Sequence, residues 1–143
     1  MKIVFRYRQM KSAIVGEIKR PVAEVYIRAK SGEWIEFHPF IDSGADITLI
    51  PYSFGLMLGL TKDVGEIREL KGVRGIGVPV IITKIPMRIG DIELEPWVAW
   101  ALIEEAPPLL GRLGIFDRFK ITFMEKEGKI IFEPVGSRRQ VSQ

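Results

Sequence analysis

The segment FIDSGADITLIP, residues 40–51, interrupts a run of apolar residues with two carboxylates and a glycine. Phe40 and Ile41 are typical of a buried strand, and the apolar run resumes at Ile47. An aspartate at a strand end commonly accepts hydrogen bonds from the amides of the turn that follows. Asp42 therefore has two interpretations, as a turn residue or as a residue with a chemical role, and the remaining sequence has to separate them.

The composition indicates one globular domain. The chain has 143 residues, of which 47% are hydrophobic and 27% are charged, enough for one core of ordinary size. We expect the domain to span residues 1–135 and the polar stretch 136–143 to be disordered. Lysine and arginine exceed aspartate and glutamate by only 21 to 18, too mild an excess to predict a nucleic-acid partner.

Missing residue types narrow the possible chemistry. The chain has no cysteine and one histidine, His38, which excludes disulfides, cysteine nucleophiles, thiolate metal sites and histidine-rich metal clusters. Catalysis would therefore use carboxylates, hydroxyls, lysine or backbone groups, and we predict no cofactor. The first residues, MKIVFRYRQMK, mix charged with apolar side chains, unlike a signal peptide, and no segment approaches the roughly 20 apolar residues of a membrane span. We expect no membrane partner and a cytoplasmic location.

Short β segments separated by turn signals dominate the chain. Four segments precede Asp42, with breaks at Lys11-Ser12, Arg20-Pro21 and Ser31-Gly32; they are IVFRYR (3–8), AIVGEIKR (13–20), VAEVYIRA (22–29) and EWIEFHPFI (33–41). Downstream, EIRELKGV and VPVIITKIPMRI predict a long hairpin with a glycine-rich tip, and DIELEPWVAWALI predicts a further strand. KITFMEKEGKIIFEP predicts a closing hairpin around Glu127-Gly128.

Two places favour short helices. PYSFGLMLGL predicts a helical turn that begins at Pro51, and GRLGIFDRFK carries Leu113, Phe116 and Phe119 at helical spacing. The predicted class is all-β with one or two short helices. Trp97 and Trp100 fall on opposite faces of one strand, so we expect one in the core and the other at an interface or pocket.

Three other kinds of site are disfavoured. Ser43 and His38 are five residues apart on a strand, which puts them on opposite faces and about 16 Å apart, too far for a nucleophile and its base. GVRGIGVP lacks the Lys-Ser/Thr of a P-loop and joins strands, where phosphate-binding loops open a helix. Asp42 and Asp46 lack the nearby oxygen ligands of a calcium loop, so we predict no metal.

The residues around Asp42 match a known sequence signature, which favours a chemical role for this aspartate. DSGA within IDSGADITLIP resembles the Asp-Thr/Ser-Gly-Ala signature of the retropepsin-like aspartic proteases, the class of the retroviral proteases and their cellular relatives. PPLLGRLGIFDRF resembles the second signature of that family, in which two apolar residues and a glycine precede a short helix; here they are Leu109, Leu110 and Gly111. The resemblance covers roughly residues 33–124. It implies a retropepsin-like barrel with a flap hairpin.

Between the two signatures, LKGVRGIGVPVIITKIPMRIGD occupies the place of the family's substrate-covering flap. The resemblance assigns the flap tip to Gly72, Val73, Arg74, Gly75, Ile76, Gly77 and Val78. Arg74 puts a charge near the tip and Pro79 removes a backbone donor, so substrate preference is expected to differ from that of the viral enzymes.

The implied chemistry needs two carboxylates that share one proton, one activating a water as general base and the other protonating the carbonyl oxygen as general acid. This chain has a single Asp-Ser/Thr-Gly, so activity would require a symmetric homodimer with Asp42 from each subunit near the two-fold axis. Two carboxylates at such short range cannot both ionise, and the pair should titrate as a unit.

The resemblance also gives roles to the residues around the aspartate. Ser43 would brace the two active-site loops across the dimer interface, and Gly44 would let the backbone approach the carboxylates. Ala45 lacks a hydroxyl that could favour the ionised form, which predicts a mildly acidic activity optimum. Asp46 would pair with Arg112, held bidentately by its guanidinium, and tie the loop to the helix beneath it.

Different functions remain open from the sequence. The first is an aspartic endopeptidase that binds an extended polypeptide, with apolar pockets lined by Ile76, Val78, Ile81 and Leu109. The second is a catalytically silent domain of the same fold that binds peptides or serves assembly, and a more distant one is a small ligand-binding β-barrel. His38 is interpreted as structural.

Overall fold

The computed structural model describes residues 1–71 and 77–136, and within them the regular secondary structure is almost entirely short strands. No helix within these ranges is long and apolar enough to cross a membrane. The strands are β1 Ile3–Arg6, β2 Arg8–Ser12, β3 Gly16–Arg20, β4 Val25–Arg28, β5 Trp34–Phe37, β6 Phe40–Ile41, β7 Thr48–Ile50, β8 Ile67–Lys71, β9 Gly77–Lys84, β10 Met87–Ile89, β11 Ile92–Leu94, β12 Trp97–Ala101, β13 Leu109–Leu110, β14 Phe119–Met124 and β15 Lys129–Pro134. The helices are α1 Tyr52–Met57 and a 3₁₀ helix, Phe116–Arg118.

The strands form four sheets. A six-stranded sheet has the order β6-β13-β7-β12-β9-β8, and a four-stranded antiparallel sheet has the order β11-β10-β4-β5. β1, β15 and β14 form a three-stranded antiparallel sheet that joins the two ends of the described chain, and β2 pairs only with β3 in a separate hairpin. Two parallel pairs, β6 with β13 and β7 with β12, lie within the six-stranded sheet.

The core covers both faces of the six-stranded sheet. One hydrophobic cluster contains Ile50, Val98 and Trp100 and continues into the other sheets, while a smaller cluster on the opposite face contains Leu49 and Ala99. Successive side chains of a strand point to opposite faces, so β7 contributes to both clusters, and all three of its residues are buried. The segment that follows Asp42 is therefore fixed on both sides.

Several predictions from the sequence are confirmed. The class is all-β with short helices, and α1 begins directly after Pro51. β8 and β9 form the long hairpin, and β14 and β15 form the closing hairpin. Trp100 is fully buried, as predicted for one of the two tryptophans. Trp97 is 43% exposed and lies under the Lys84 ammonium, 5.2 Å from the ring centroid, and its predicted place at an interface or pocket is not tested.

Prolines divide three segments that the sequence pattern had predicted as single strands. Pro39 separates β5 from β6, Pro86 separates β9 from β10, and Pro96 separates β11 from β12. Proline has no backbone N–H to give to a ladder and fixes its own φ, so each of these strands ends and the chain changes sheets. The uninterrupted strands predicted over 33–41, 78–89 and 91–103 were therefore wrong.

Two further predictions need correction. The second strand was expected to begin at Ala13 after a break at Lys11-Ser12, but β2 continues through Ser12 and residues 13–15 form the turn. The Ser12 hydroxyl caps that turn by accepting a hydrogen bond from the Ile14 N–H at 3.1 Å. The helix expected around Phe116 is only one 3₁₀ turn, since Gly114 before it has a φ of +75° and Phe119 already belongs to β14.

The predicted domain boundary at residue 135 is not tested. Beyond Gly136, the tail that was predicted to be disordered lies outside the described residues.

Candidate active site

The loop that carries Asp42 begins where β6 ends. β6 runs parallel to β13, and the Asp42 N–H donates a hydrogen bond of 3.1 Å to the Leu110 carbonyl oxygen. The carboxyl ends of neighbouring parallel strands meet at the same edge of a sheet. DSGA and LLGR, separated by more than 60 residues of sequence, are therefore adjacent in the fold.

Asp42 is held by its own loop. The Gly44 N–H donates to Asp42 Oδ1 at 2.9 Å, and the Ala45 N–H donates to the Asp42 carbonyl oxygen at 3.1 Å. A Cβ placed on Gly44 would lie 3.3 Å from Oδ1, closer than most such contacts, so glycine leaves room for the carboxylate. Asp42 is half-buried, and no described residue donates a hydrogen bond to its Oδ2.

Three successive amides of the second motif fix the loop from the other side. The N–H groups of Arg112 and Leu113 donate to the carbonyl oxygens of Ala45 and Asp46, at 2.9 and 2.8 Å. The Gly111 N–H donates instead to a side chain, the buried hydroxyl of Thr48, at 3.0 Å. The two segments are thus joined by a continuous row of hydrogen bonds.

Gly111 packs directly on the strand that leaves the Asp42 loop. A Cβ on Gly111 would lie 2.4 Å from both the carbonyl carbon and the carbonyl oxygen of Ile47. Backbone atoms cannot move aside as a side chain can, so only glycine fits at this crossing. The glycine of the second motif thereby sets the distance between the two segments.

An ion pair joins the same two segments at the surface. Arg112 Nη2 lies 2.6 Å from Asp46 Oδ1, and the two side chains are 53% and 85% exposed. The sequence led us to expect a bidentate pair, whereas the structure joins the two groups by one contact. An exposed pair of this kind contributes about 0–1 kcal/mol, so the backbone hydrogen bonds dominate the join.

The predicted site residues fall into three groups. Asp42, Gly44, Ala45 and Asp46 lie together with the second motif, as described above. Ser43 is adjacent, exposed, and without a hydrogen-bond partner among the described residues. The flap residues Gly72, Val73, Arg74, Gly75 and Ile76 lie outside the described residues, whereas Gly77 and Val78 begin β9.

A groove of about 340 Å³ opens at Asp42. Its other lining residues are mostly apolar, and they are Arg20, Pro21, Phe40, Ile41, Pro107 and Leu109. Leu109 was predicted to line a substrate pocket. Ile81 was predicted to do the same, which is wrong, because it is fully buried in the main core. Ile81 is three residues from Val78 on β9, so the two side chains point to opposite faces.

Two residues of the site were missed from the sequence. Thr48 is the only buried polar residue among the described residues, and its hydroxyl is used by Gly111. The signal was present, since a threonine within the apolar run ITLI needs a hydrogen-bond partner when it is buried. Arg20 lies at the groove because β3 ends beside Phe40, with its guanidinium carbon 5.8 Å from the ring centroid, and no local pattern indicates that contact.

The fold was compared with known proteins. No family model matches the sequence, and no curated protein matches it significantly. Similarity is found instead among solved structures. A retropepsin-like aspartic protease from Rickettsia conorii superposes with a TM-score of 0.63 at 15% identity, over 92% of this chain and 98% of that protein.

A second protease has a similar fold. EIAV protease, in a complex with the inhibitor HBY-793, superposes with a TM-score of 0.51 at 20% identity, over 72% of this chain and 88% of that protein. Both neighbours are aspartic proteases, and identities this low establish the fold alone. The chain has the retropepsin-like fold, as its two short motifs had predicted.

Proposed function

We propose that this protein is an aspartic endopeptidase. The observation that carries the proposal is the Asp42 loop: a half-buried carboxylate held through Oδ1 by the Gly44 amide, with Oδ2 free of described donors, at the mouth of a groove. An aspartate whose only role was to accept hydrogen bonds from the turn amides would not need a groove beside it. The retropepsin-like fold supports the same interpretation.

The reaction requires a second carboxylate, which we assign to Asp42 of a second copy. In such a homodimer one Asp42 accepts a proton from water as the water attacks the scissile carbonyl carbon. The other Asp42, protonated, donates to the carbonyl oxygen. The tetrahedral intermediate then collapses, the C–N bond breaks, and the leaving nitrogen takes up a proton. Ser43, which is exposed beside the carboxylate, would brace the two loops against each other.

The substrate is proposed to be an extended polypeptide. The groove at Asp42 offers an apolar wall from Phe40 and Leu109 and one cation, Arg20. The flap, which includes Gly77 and Val78 at the start of β9, would cover the bound chain and pair with its backbone. A cytoplasmic location remains the expectation from the sequence.

Cleavage of a mixed peptide library between about pH 3 and about pH 8 tests the proposal, because a shared pair of carboxylates gives a rate that falls at both ends. The wild type is compared with Asp42→Asn, which keeps the size of the side chain, and with Asp91→Asn, a matched change on the exposed β10–β11 turn. We expect discrete cuts from the wild type and the control, and none from Asp42→Asn.

Mixing subunits tests the shared site. If each active site takes one Asp42 from each copy, an equal mixture of wild type and Asp42→Asn, re-equilibrated as dimers, retains about one quarter of the wild-type activity. Retention of about one half would mean that each subunit works alone. A folded dimer that cuts no peptide at any pH would contradict the proposal and favour a catalytically silent peptide-binding or assembly module.

A further inference from the structure

The β2–β3 hairpin packs on little of its own chain. Its two strands pair only with each other, and every residue of β3 is exposed. At its tip, Ile14 is 90% exposed and Val15 is 64% exposed. A two-stranded hairpin is marginal by itself in water, and two large apolar side chains this exposed at its tip indicate a surface that another molecule covers.

An apolar cleft also adjoins the loop that carries Asp42, at Asp46. It has a volume of about 590 Å³ and is lined by Asp46, Arg112, Leu113, Gly114, Phe116 and Asp117. Leu113 is 51% exposed at its edge, and Phe116 is half-buried. We call this the Phe116 cleft. It is large enough to accept two aliphatic side chains.

We propose that, in a dimer, the tip of the β2–β3 hairpin of each copy packs into the Phe116 cleft of the other. The inference rests on the proposed homodimer and specifies what holds it together. Such contacts are reciprocal under a two-fold axis, since each copy supplies one hairpin and one cleft.

The position of the hairpin supports this arrangement. Its base is at Arg20, which lines the groove of Asp42, so the hairpin starts next to the proposed two-fold axis. Five residues of strand extend about 17 Å. The partner's Asp42 would lie at hydrogen-bond distance across the axis, and the Phe116 cleft begins at Asp46, four residues further along the chain. The hairpin is therefore long enough for its tip to reach the partner's cleft.

The charges of the two surfaces also suit each other. The hairpin strands carry four cations, Arg8, Lys11, Lys19 and Arg20, against one carboxylate, Glu17; Arg8 already pairs with Glu24 at 3.0 Å, which leaves three cations for a partner. Asp117, on the cleft, has no ion-pair partner among the described residues, and Asp46 is 85% exposed although it pairs with Arg112. Complementary charge would orient the hairpin as its apolar tip is buried.

Sedimentation measured over a range of concentrations tests the contact. The variant Ile14→Ser/Val15→Ser should raise the dimer dissociation constant at least about a hundred-fold, because each substitution acts twice in a symmetric dimer. Leu56→Ser, at an apolar site of α1 that is 50% exposed, is the control and should leave the constant unchanged. A dimer as tight in the tip variant as in the control would overturn the inference.

Cross-linking tests it independently of any loss of stability. The chain has no cysteine, so Ile14→Cys and Leu113→Cys can be made in separate preparations and mixed under mild oxidation. A disulfide needs Cα atoms within about 7 Å, so a covalent heterodimer forms only if tip and cleft meet. Ile14→Cys mixed with Leu56→Cys should remain uncoupled, and equal coupling in both mixtures would refute the contact.

The outcomes separate this inference from the proposed function. A tip variant that stays dimeric and cuts peptides through Asp42 removes the hairpin contact and leaves the protease. A dimer that depends on the tip but cuts nothing keeps the contact and removes the protease. A wild type that is monomeric at every concentration overturns the homodimer and the contact together.

Discussion

The buried hydroxyl of Thr48 offers a sharp test of how the Asp42 loop is held. Thr48→Val replaces the hydroxyl with a methyl group of similar shape and leaves the Gly111 N–H buried without its acceptor. An unsatisfied buried donor costs about 1–3 kcal/mol, and the added methyl group recovers part of that. We expect the free energy of unfolding to fall by about 1–2 kcal/mol, which for a chain of this size lowers Tm by about 3–8 °C.

Thermal and urea unfolding of the two purified proteins measure this difference. Thr83→Val is the matched control, since Thr83 is half-buried on β9 of the same sheet and its hydroxyl makes no hydrogen bond to a described residue. The control should unfold like the wild type. If Thr48→Val were as stable as Thr83→Val, the hydroxyl would not be what holds Gly111, and the account of the join between the two motifs would fail.

Three further changes test other parts of the fold. Gly111→Ala places a methyl group against the Ile47 backbone, so we expect a loss of several kcal/mol or no folded protein, measured by urea unfolding. Burial, followed by the hydrogen bond to Glu125, raises the pKa of Tyr7 from 10.0 to about 12. The folded state therefore favours the protonated phenol, and this contribution to stability is complete below pH 10 and is lost as the pH rises to 12. In Tyr7→Phe, the urea midpoint should depend less on pH over that interval. Hydrogen bonds from the start of α1 lower the pKa of Glu104 below its ordinary value of 4.5, so its contribution is present above that pH and lost below it, and Glu104→Gln should weaken the acid dependence of unfolding.

The retropepsin-like fold and the meeting of the two motifs were easier to predict from the sequence than the strand boundaries were. DSGA and LLGR each resemble a family signature, and their order along the chain matches the order of the two signatures, which indicated one fold. The strand boundaries were lost where the apolar pattern continued through Pro39, Pro86 and Pro96, because hydrophobicity carries no information about a missing N–H. Treating every proline as a strand end would have recovered all three boundaries, but it would also have divided β9 at Pro79, which lies within that strand.

The contacts of Thr48 and Arg20 could not be predicted, because each joins residues that are far apart in the sequence. The sequence indicates that Thr48, if buried, needs a hydrogen-bond partner. That partner, Gly111, is more than 60 residues away, and the parallel pairing of short strands brings it close.

The β2–β3 tip was misplaced for a local reason, since Ile14 and Val15 have strong strand propensity and yet form a turn between Ser12 and Gly16. Propensity describes a residue that packs on a sheet, and these two do not.

The parallel pairing of β6 with β13 has a consequence for biosynthesis. Residues 40–41 cannot find their strand partner until residues 109–110 have been made, so the Asp42 loop is completed late in translation. A nascent chain that stops near residue 100 would carry the aspartate and its own loop amides without the amides of Gly111, Arg112 and Leu113 that join the loop to the second motif. The two motifs can therefore assemble only after nearly the whole domain has been synthesised.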